Sequence, residues 1–155
     1  MPKLDLATVP VKRGTGYPPP YDAPCRALGQ QRLGDAAGLT RIGVNLVRVP
    51  PGGWSSQRHW HTHEDELVWV VAGELVLVSD AGEETLRAGE AAAFPAGVAD
   101  GHHLQNRSSA NAVFLVVSDR DPEDACHYPD IDLALRPNDS VTPVFTTKDG
   151  RPIER

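Results

Sequence analysis

The sequence lacks long apolar runs, a basic excess and closely spaced cysteines, and each absence excludes a class of protein. No apolar run approaches the roughly 20 residues of a membrane helix, and the N-terminus has no signal-peptide core. A formal net charge of −6 argues against binding to a nucleic-acid backbone. The two cysteines, Cys25 and Cys126, form no Cys-x-x-Cys motif, which favours two reduced thiols over a disulfide between them. We therefore expect a cytoplasmic protein that binds neither nucleic acid nor membranes.

Proline is scarce in the middle of the chain, although the whole sequence contains 14. Eleven of these prolines lie before residue 41 or after residue 118. Because proline cannot donate a hydrogen bond to a neighbouring strand, it is excluded from central strands. The sequence therefore predicts a folded core over residues 41–118. A proline-rich N-terminal arm (1–40) and a C-terminal arm (119–155) are expected to lie on this core.

Helical periodicity is also missing, since no segment of ten residues keeps an apolar stripe at helical spacing. Short β-rich runs separated by turn residues occupy the core instead. Strands this short, at regular spacing, are typical of an all-β sandwich or barrel. The predicted strands are Ile42–Val49, Leu67–Val71, Glu74–Ser79, Glu84–Arg87, Ala91–Phe94, His102–Arg107 and Ala112–Ser118.

Five of the six histidines fall within 45 residues of one another. On a strand, side chains alternate between faces, so His59, His61 and His63 should point the same way, and two of them can share one ion. Glu66 has the wrong parity for that strand, but a turn at residues 64–65 would let the next strand present it. Imidazole and carboxylate without thiolate suit Zn, Fe, Ni or Mn. The alternative is a solvated edge of histidines and acidic residues with no metal.

A second histidine pair, His102 and His103, lies on the predicted strand 102–107. Side chains of His102 and Leu104 share one face, and those of His103 and Arg107 share the other. The face with Leu104 should look inward and the polar face should meet water. We therefore prefer His102 as a ligand and expect His103 to be exposed, although a bulge before the strand would exchange the two.

These residues resemble the two sequence motifs of the cupin superfamily. The first motif is matched position by position. The second has four residues between its last glycine and its histidine, where the pattern has two. The sequence is also similar to a subgroup of small single-domain bacterial cupins with a conserved β-barrel, through segments such as Tyr128–Asp132. The matching positions are Gly53, His59, His61, Glu66 and Gly73 in the first motif, and Gly89, Pro95, Gly97, His102 and Asn106 in the second.

The resemblance implies a double-stranded β-helix, a jelly-roll barrel, that holds one divalent transition metal per chain. The implied ligands are His59, His61, Glu66 and His102, and two coordination positions would be left for water or substrate. Reactions known among cupins include isomerisation, dioxygenation, decarboxylation and lyase chemistry. We expect a metal-dependent enzyme acting on a small oxygenated metabolite, and the alternative is a ligand-binding or sensor protein without turnover.

The apolar residues of the two arms need a surface to cover. A second subunit would provide one, as it commonly does among cupins, so a homodimer is expected. Arms that fold back on their own barrel would satisfy the same residues and are the alternative. Catalysis would also need an acid or base that is not a ligand, and His63 and His103 are the histidine candidates.

Overall fold

The computed structural model describes residues 3–137 and 144–153, and these are almost entirely β-strand and turn. Helical structure is limited to 3-10 turns at Leu6–Thr8 and Ala23–Cys25 and to one α-helical turn, α1, at Leu33–Ala36. The strands are β1 (Lys12–Arg13), β2 (Gly29–Arg32), β3 (Ile42–Val49), β4 (Trp60–His61), β5 (Glu66–Ala72), β6 (Glu74–Ser79), β7 (Gly82–Arg87), β8 (Ala91–Phe94), β9 (His103–Gln105), β10 (Ala112–Asp119), β11 (Cys126–His127), β12 (Ala134–Leu135) and β13 (Phe145–Thr146).

The strands form two walls with the core between them. One wall is a six-stranded sheet in the order β1-β2-β3-β10-β5-β8. The other combines the three-stranded sheet β7-β6-β9 with the four-stranded sheet β13-β12-β11-β4. Isolated bridges from Trp54 to Gln105 and from His59 to His102 join these smaller sheets. The predicted all-β fold is confirmed, and this jelly-roll arrangement is the double-stranded β-helix.

Alternation along β5 shows how the sequence builds the core. Val68 and Val70 are buried and belong to the main hydrophobic cluster, which also draws residues from the opposite wall. Leu67, Trp69 and Val71 point the other way and are exposed. Because successive strand residues face opposite sides, one strand supplies both a core face and an outer face. We call the exposed residues Leu67, Trp69 and Val71 the outer apolar face.

Gly73 makes the turn between β5 and β6 for two physical reasons. Its φ of +75° is favourable only for glycine among the common residues. A Cβ there would also lie 3.0 Å from the Asn111 carbonyl oxygen and 3.1 Å from the Ala112 Cα. The last glycine of the first motif is therefore a structural requirement of the turn that carries the chain from β5 in one wall to β6 in the other.

Both arms add strands and pack within the same chain. β1 and β2 belong to the six-stranded sheet, while β11 pairs with β4, β12 with β11 and β13 with β12. Tyr128 and Leu133 form a second hydrophobic cluster with Cys126 and Phe145, and Tyr17 from the N-terminal arm packs against it. Several apolar residues of the arms are thus covered within the same chain, whereas Leu6 and Val11 are 44% and 54% exposed, and the homodimer stays a prediction. Both cysteines are free and buried.

Predicted and observed strands differ mainly at their ends and in the arms. β9 spans only three residues, because His102 contributes an isolated bridge and the chain leaves the sheet after Gln105. The short strands of the arms were not predicted, since their polar and proline-flanked sequences carry no strand pattern. Parts of the predicted arms at residues 1–2, 138–143 and 154–155 lie outside the described residues, and the boundaries at 40/41 and 118/119 stay predictions. Across residues 3–137 and 144–153, no helix has the length and apolar character of a membrane span.

Candidate metal centre

Two backbone hydrogen bonds join His59 to His102 across the second wall. The His102 amide donates to the His59 carbonyl at 2.8 Å, and the His59 amide donates to the His102 carbonyl at 3.1 Å. The two imidazole rings lie 4.9 Å apart, centre to centre. Both side chains are buried, and Phe94 stacks on the His102 ring at 3.5 Å. Residues 43 positions apart in the sequence are thereby held side by side.

Glu66 completes a compact group with these two histidines. It is the first residue of β5, so the turn after β4 corrects its parity as the sequence predicts. Its Oε1 lies 3.2 Å from His102 Nε2, and one ligand atom from each of Glu66, His59 and His102 lies within 4.8 Å of the others. Burial raises the pKa of Glu66, but the hydrogen bond from His102 and the nearby His59 bring it below its ordinary value. The carboxylate is therefore ionised at neutral pH.

Backbone carbonyls orient the two buried rings. His59 Nδ1 donates to the Gln57 carbonyl at 2.8 Å, and His102 Nδ1 donates to the Asp100 carbonyl at 3.2 Å. A carbonyl oxygen only accepts, so Nδ1 carries the proton in both rings. Nε2 of His59 is then left for a ligand, whereas Nε2 of His102 donates to Glu66 and would release its proton when a metal binds. Burial lowers the pKa of His59 to about 4, so this imidazole stays neutral at physiological pH.

His61 stands beside this group and is oriented by Asp124. Its ring centre is 5.0 Å from that of His59, and its Nδ1 donates to Asp124 Oδ2 at 2.7 Å. The other carboxylate oxygen accepts from the His63 amide at 2.8 Å and the Glu64 amide at 3.3 Å, which fixes the turn after β4. Burial lowers the pKa of His61, but the Asp124 hydrogen bond and the charge of Glu66 raise it more, and the net shift is upward. Sequence reasoning missed Asp124, because nothing distinguishes it from the acidic residues around it.

His61 also forms a second group of three with His59 and Cys126, whose ligand atoms lie within 4.8 Å. Sequence reasoning treated the cluster as free of thiol, because Cys126 is distant in the chain. Pairing of β11 with β4 places Cys126 directly opposite His61. Burial raises the pKa of the Cys126 thiol well above its ordinary value. Since the thiolate is the form that binds metals, a protonated Cys126 is a poor ligand.

The other two candidate histidines lie away from the group of three. The expectation that His63 shares the face of His59 is wrong, because β4 ends at His61 and His63 is exposed on the following turn. The expectation that His103 is exposed is also wrong, since only 4% of its surface is accessible. Trp54 covers its ring at 4.8 Å, a contact that strand alternation does not predict.

A small cavity opens beside the group of three. Its volume is about 130 Å³, enough for a few water molecules or one end of a small ligand. The wall combines polar residues with apolar residues of the barrel core. Its titratable lining residues are His59, Glu66, His102 and His103. It is lined by Gln30, Val47, Ser55, Ser56, His59, Glu66, Val68, Phe94, His102, His103, Leu104, Phe114 and Val116.

Comparison with known proteins identifies the family. The Cupin domain model matches residues 45–118. The chain is 46% identical to a sugar phosphate isomerase of the cupin superfamily from Silicibacter pomeroyi, with a TM-score of 0.93 over 99% of this chain and 97% of that one. This protein therefore belongs to the cupin superfamily, as its two motifs indicate.

Two further structures extend the comparison. A provisionally named sugar phosphate isomerase from Acidithiobacillus ferrooxidans is 26% identical, with a TM-score of 0.73 over 83% of this chain and 81% of that one. A Cupin 2 conserved barrel domain protein from Salinispora arenicola is 23% identical, with a TM-score of 0.53 over 76% of this chain and 86% of that one, and shares the fold. No curated protein matches the chain.

Proposed function

We propose that this protein is a metal-dependent enzyme that isomerises a small sugar phosphate. The proposed centre is one divalent transition metal per chain, of the Zn, Fe, Ni or Mn type, held by His59, His61, Glu66 and His102. The observation that carries the proposal is that Glu66 and the buried imidazoles of His59 and His102 converge beside a cavity. When bound, such an ion polarises a substrate oxygen and stabilises the negative charge that develops there.

The donor set fits such an ion. Octahedral bonds of about 2.1 Å separate neighbouring donor atoms by about 3.0 Å. The 3.2 Å between His102 Nε2 and Glu66 Oε1 is close to that separation. Outward hydrogen bonds from the Nδ1 atoms of His59, His61 and His102 resemble the outer contacts that hold metal-binding imidazoles in one orientation. A tetrahedral site would instead close the coordination sphere with four ligands, leaving no position for substrate.

The substrate class is inferred from the relatives. The Silicibacter pomeroyi protein is named a sugar phosphate isomerase, and 46% identity over nearly the whole of both chains supports a related activity here. Isomerisation moves a proton between adjacent carbon atoms, so it needs charge stabilisation at the substrate oxygens and no external oxidant. A centre with one ionised carboxylate and neutral imidazoles leaves a divalent ion with net positive charge, which suits that requirement.

One observation favours the second candidate, a ligand-binding protein without turnover. His103 is the titratable residue of the cavity wall that is outside the proposed ligand set, and both of its ring nitrogens are engaged. Nδ1 donates to the Ser56 carbonyl at 2.9 Å, and Nε2 accepts from Gln105 Nε2 at 3.0 Å. A general base must reach the proton that it abstracts, and His103 is held away from that task.

Elemental analysis of the purified protein tests the metal centre. We expect about one transition-metal ion per chain, and none in the His59→Ala/His61→Ala double variant. His63→Ala is the matched control, because His63 is an exposed histidine of the same segment and should leave the metal content unchanged. Equal metal content in the double variant and the wild type, with both folded by circular dichroism, would refute the ligand assignment. Isomerase assays of the metal-loaded protein with aldose phosphates then separate the enzyme from the ligand-binding protein.

A further inference from the structure

A second, larger cavity adjoins the candidate metal centre. Its volume is about 480 Å³, within the range of small-ligand pockets. Its wall shares Gln30, Val47, Ser55 and Ser56 with the small cavity, so the two are neighbours. We call the larger space the mouth cavity. It is lined by Lys12, Gly14, Thr15, Gly16, Tyr17, Leu28, Gln30, Arg32, Val47, Ser55, Ser56, Tyr128 and Phe145.

Strand register turns two cations toward the mouth cavity. Lys12 of β1 lies opposite Gln30 of β2, and Gln30 lies opposite Val47 of β3. Val47 is buried in the barrel core, so this side of the sheet is the inner one. Arg32 is two residues after Gln30 and therefore shares its face. Lys12 and Arg32 are both exposed and line the mouth cavity from the N-terminal arm.

The mouth cavity has positive charge although the chain has a net charge of −6. Lys12 and Arg32 line it, and no Asp or Glu is among its lining residues. Lys12 makes no ion pair within the described part of the chain, and Arg32 approaches Asp35 only at 3.7 Å. Asp35 also pairs with Arg120, so its charge is shared. Both cations remain available to an anionic ligand.

The loop after β1 adds backbone donors to the same wall. Gly14 has a φ of +84°, and it lines the cavity together with Thr15 and Gly16. The amide groups of Thr15 and Gly16 donate no hydrogen bond to another residue in the described ranges. Glycine-rich loops with free amides are common cradles for phosphate oxygens, especially beside lysine or arginine.

We propose that the mouth cavity is a phosphate subsite in which Lys12 and Arg32 bind the phosphoryl group of the substrate. This inference rests on the proposed function, because it places the other end of the same molecule beside His59 and Glu66. A phosphate monoester carries about two negative charges at neutral pH, which matches two cations. Lys12 and Arg32 are thus positioning residues that set specificity for phosphorylated over free sugars.

Isothermal titration calorimetry with glucose 6-phosphate, glucose and glucuronate tests the subsite. These ligands differ mainly at C6, where they carry a phosphate, a hydroxyl and a carboxylate. Inorganic phosphate is the probe that does not depend on the sugar. The variants are Lys12→Gln/Arg32→Gln and, as a matched control, Arg13→Gln/Arg48→Gln. Arg13 and Arg48 lie on the same sheet and line a separate cavity, so the control removes equal charge away from the mouth cavity.

In the wild type we expect inorganic phosphate to bind and glucose 6-phosphate to bind more tightly than glucose and glucuronate. The Lys12→Gln/Arg32→Gln variant should lose about tenfold or more in affinity for both phosphates, because a charge-assisted hydrogen bond is lost at each position. Equal losses in the control, no phosphate binding by the wild type, or equal binding of glucuronate would overturn the subsite. Intact isomerase turnover in the Lys12→Gln/Arg32→Gln variant, with unchanged KM, would overturn it too and leave the proposed function standing. Phosphate binding without turnover would support the subsite and count against the enzyme.

Discussion

Asp124→Asn should weaken the proposed metal centre without replacing a proposed ligand. The Asp124 carboxylate accepts the Nδ1 proton of His61 at 2.7 Å, and the two side chains are only 11% and 18% exposed. An amide nitrogen at that position would favour the other tautomer of His61, whose Nε2 carries the proton and cannot bind a metal. Losses of such outer contacts reduce metal affinity by about 10- to 100-fold, or about 1.4 to 2.8 kcal/mol.

Fold effects should be small, because the remaining oxygen of the new side chain can still accept from the His63 and Glu64 amides. Competition with a chelating dye, using Zn²⁺ and Mn²⁺, measures the affinity, and thermal unfolding checks the fold. Asp22→Asn is the matched control, because it removes the same charge from the surface ion pair between Asp22 and Arg26. Metal affinity within about twofold of the wild type in Asp124→Asn would refute the orienting role, since outer contacts of this kind matter more than that.

Three further outcomes are expected. Metal affinity, measured as a function of pH, should fall as the pH is lowered. The fall should begin above the ordinary histidine pKa of about 6.5, because the pKa of His61 is raised and protons compete there with the metal. His59 should stay neutral to a pH of about 4. Light scattering of the wild type should give a mass near twice the 16.7 kDa of one chain. Trp69→Lys on the outer apolar face should give a monomer, because large exposed apolar surfaces mark interfaces. His102→Ala should remove the metal, as metal analysis would show. His103→Ala should keep the metal but lower the free energy of unfolding, measured by denaturant titration, by about 1 to 3 kcal/mol, because it leaves buried hydrogen-bond partners unsatisfied.

The fold could be predicted because its signals are local. Alternating apolar residues such as Val68 and Val70, and the turn at Gly73, decide strands and hairpins within a few residues. Parity along one strand also predicted that His59 and His61 lie together, and the observed ring separation of 5.0 Å agrees. Glu66 follows because the turn after β4 restarts the alternation.

Burial of His103 shows where strand alternation fails. Alternation assigns the residue correctly to the face opposite His102, but it does not say whether that face meets water. Trp54 and the Ser56 carbonyl come from a loop about 50 residues earlier and cover the ring. Exposure depends on such long-range contacts, so a polar residue on an outward face can still be buried.

Asp124 and the mouth cavity share a different reason for being missed. The arms supply both Asp124 and much of the cavity wall, and the sequences of the arms carry no strand pattern. In both cases the residues brought together are far apart in the chain. Asp124 reaches His61 across 63 positions because β11 pairs with β4. Lys12 reaches the barrel mouth only because β1 pairs with β2 and β2 with β3. The proposed metal ligands can therefore be recognised from local sequence patterns. The groups proposed to orient them and to select the substrate depend on how the arms fold back.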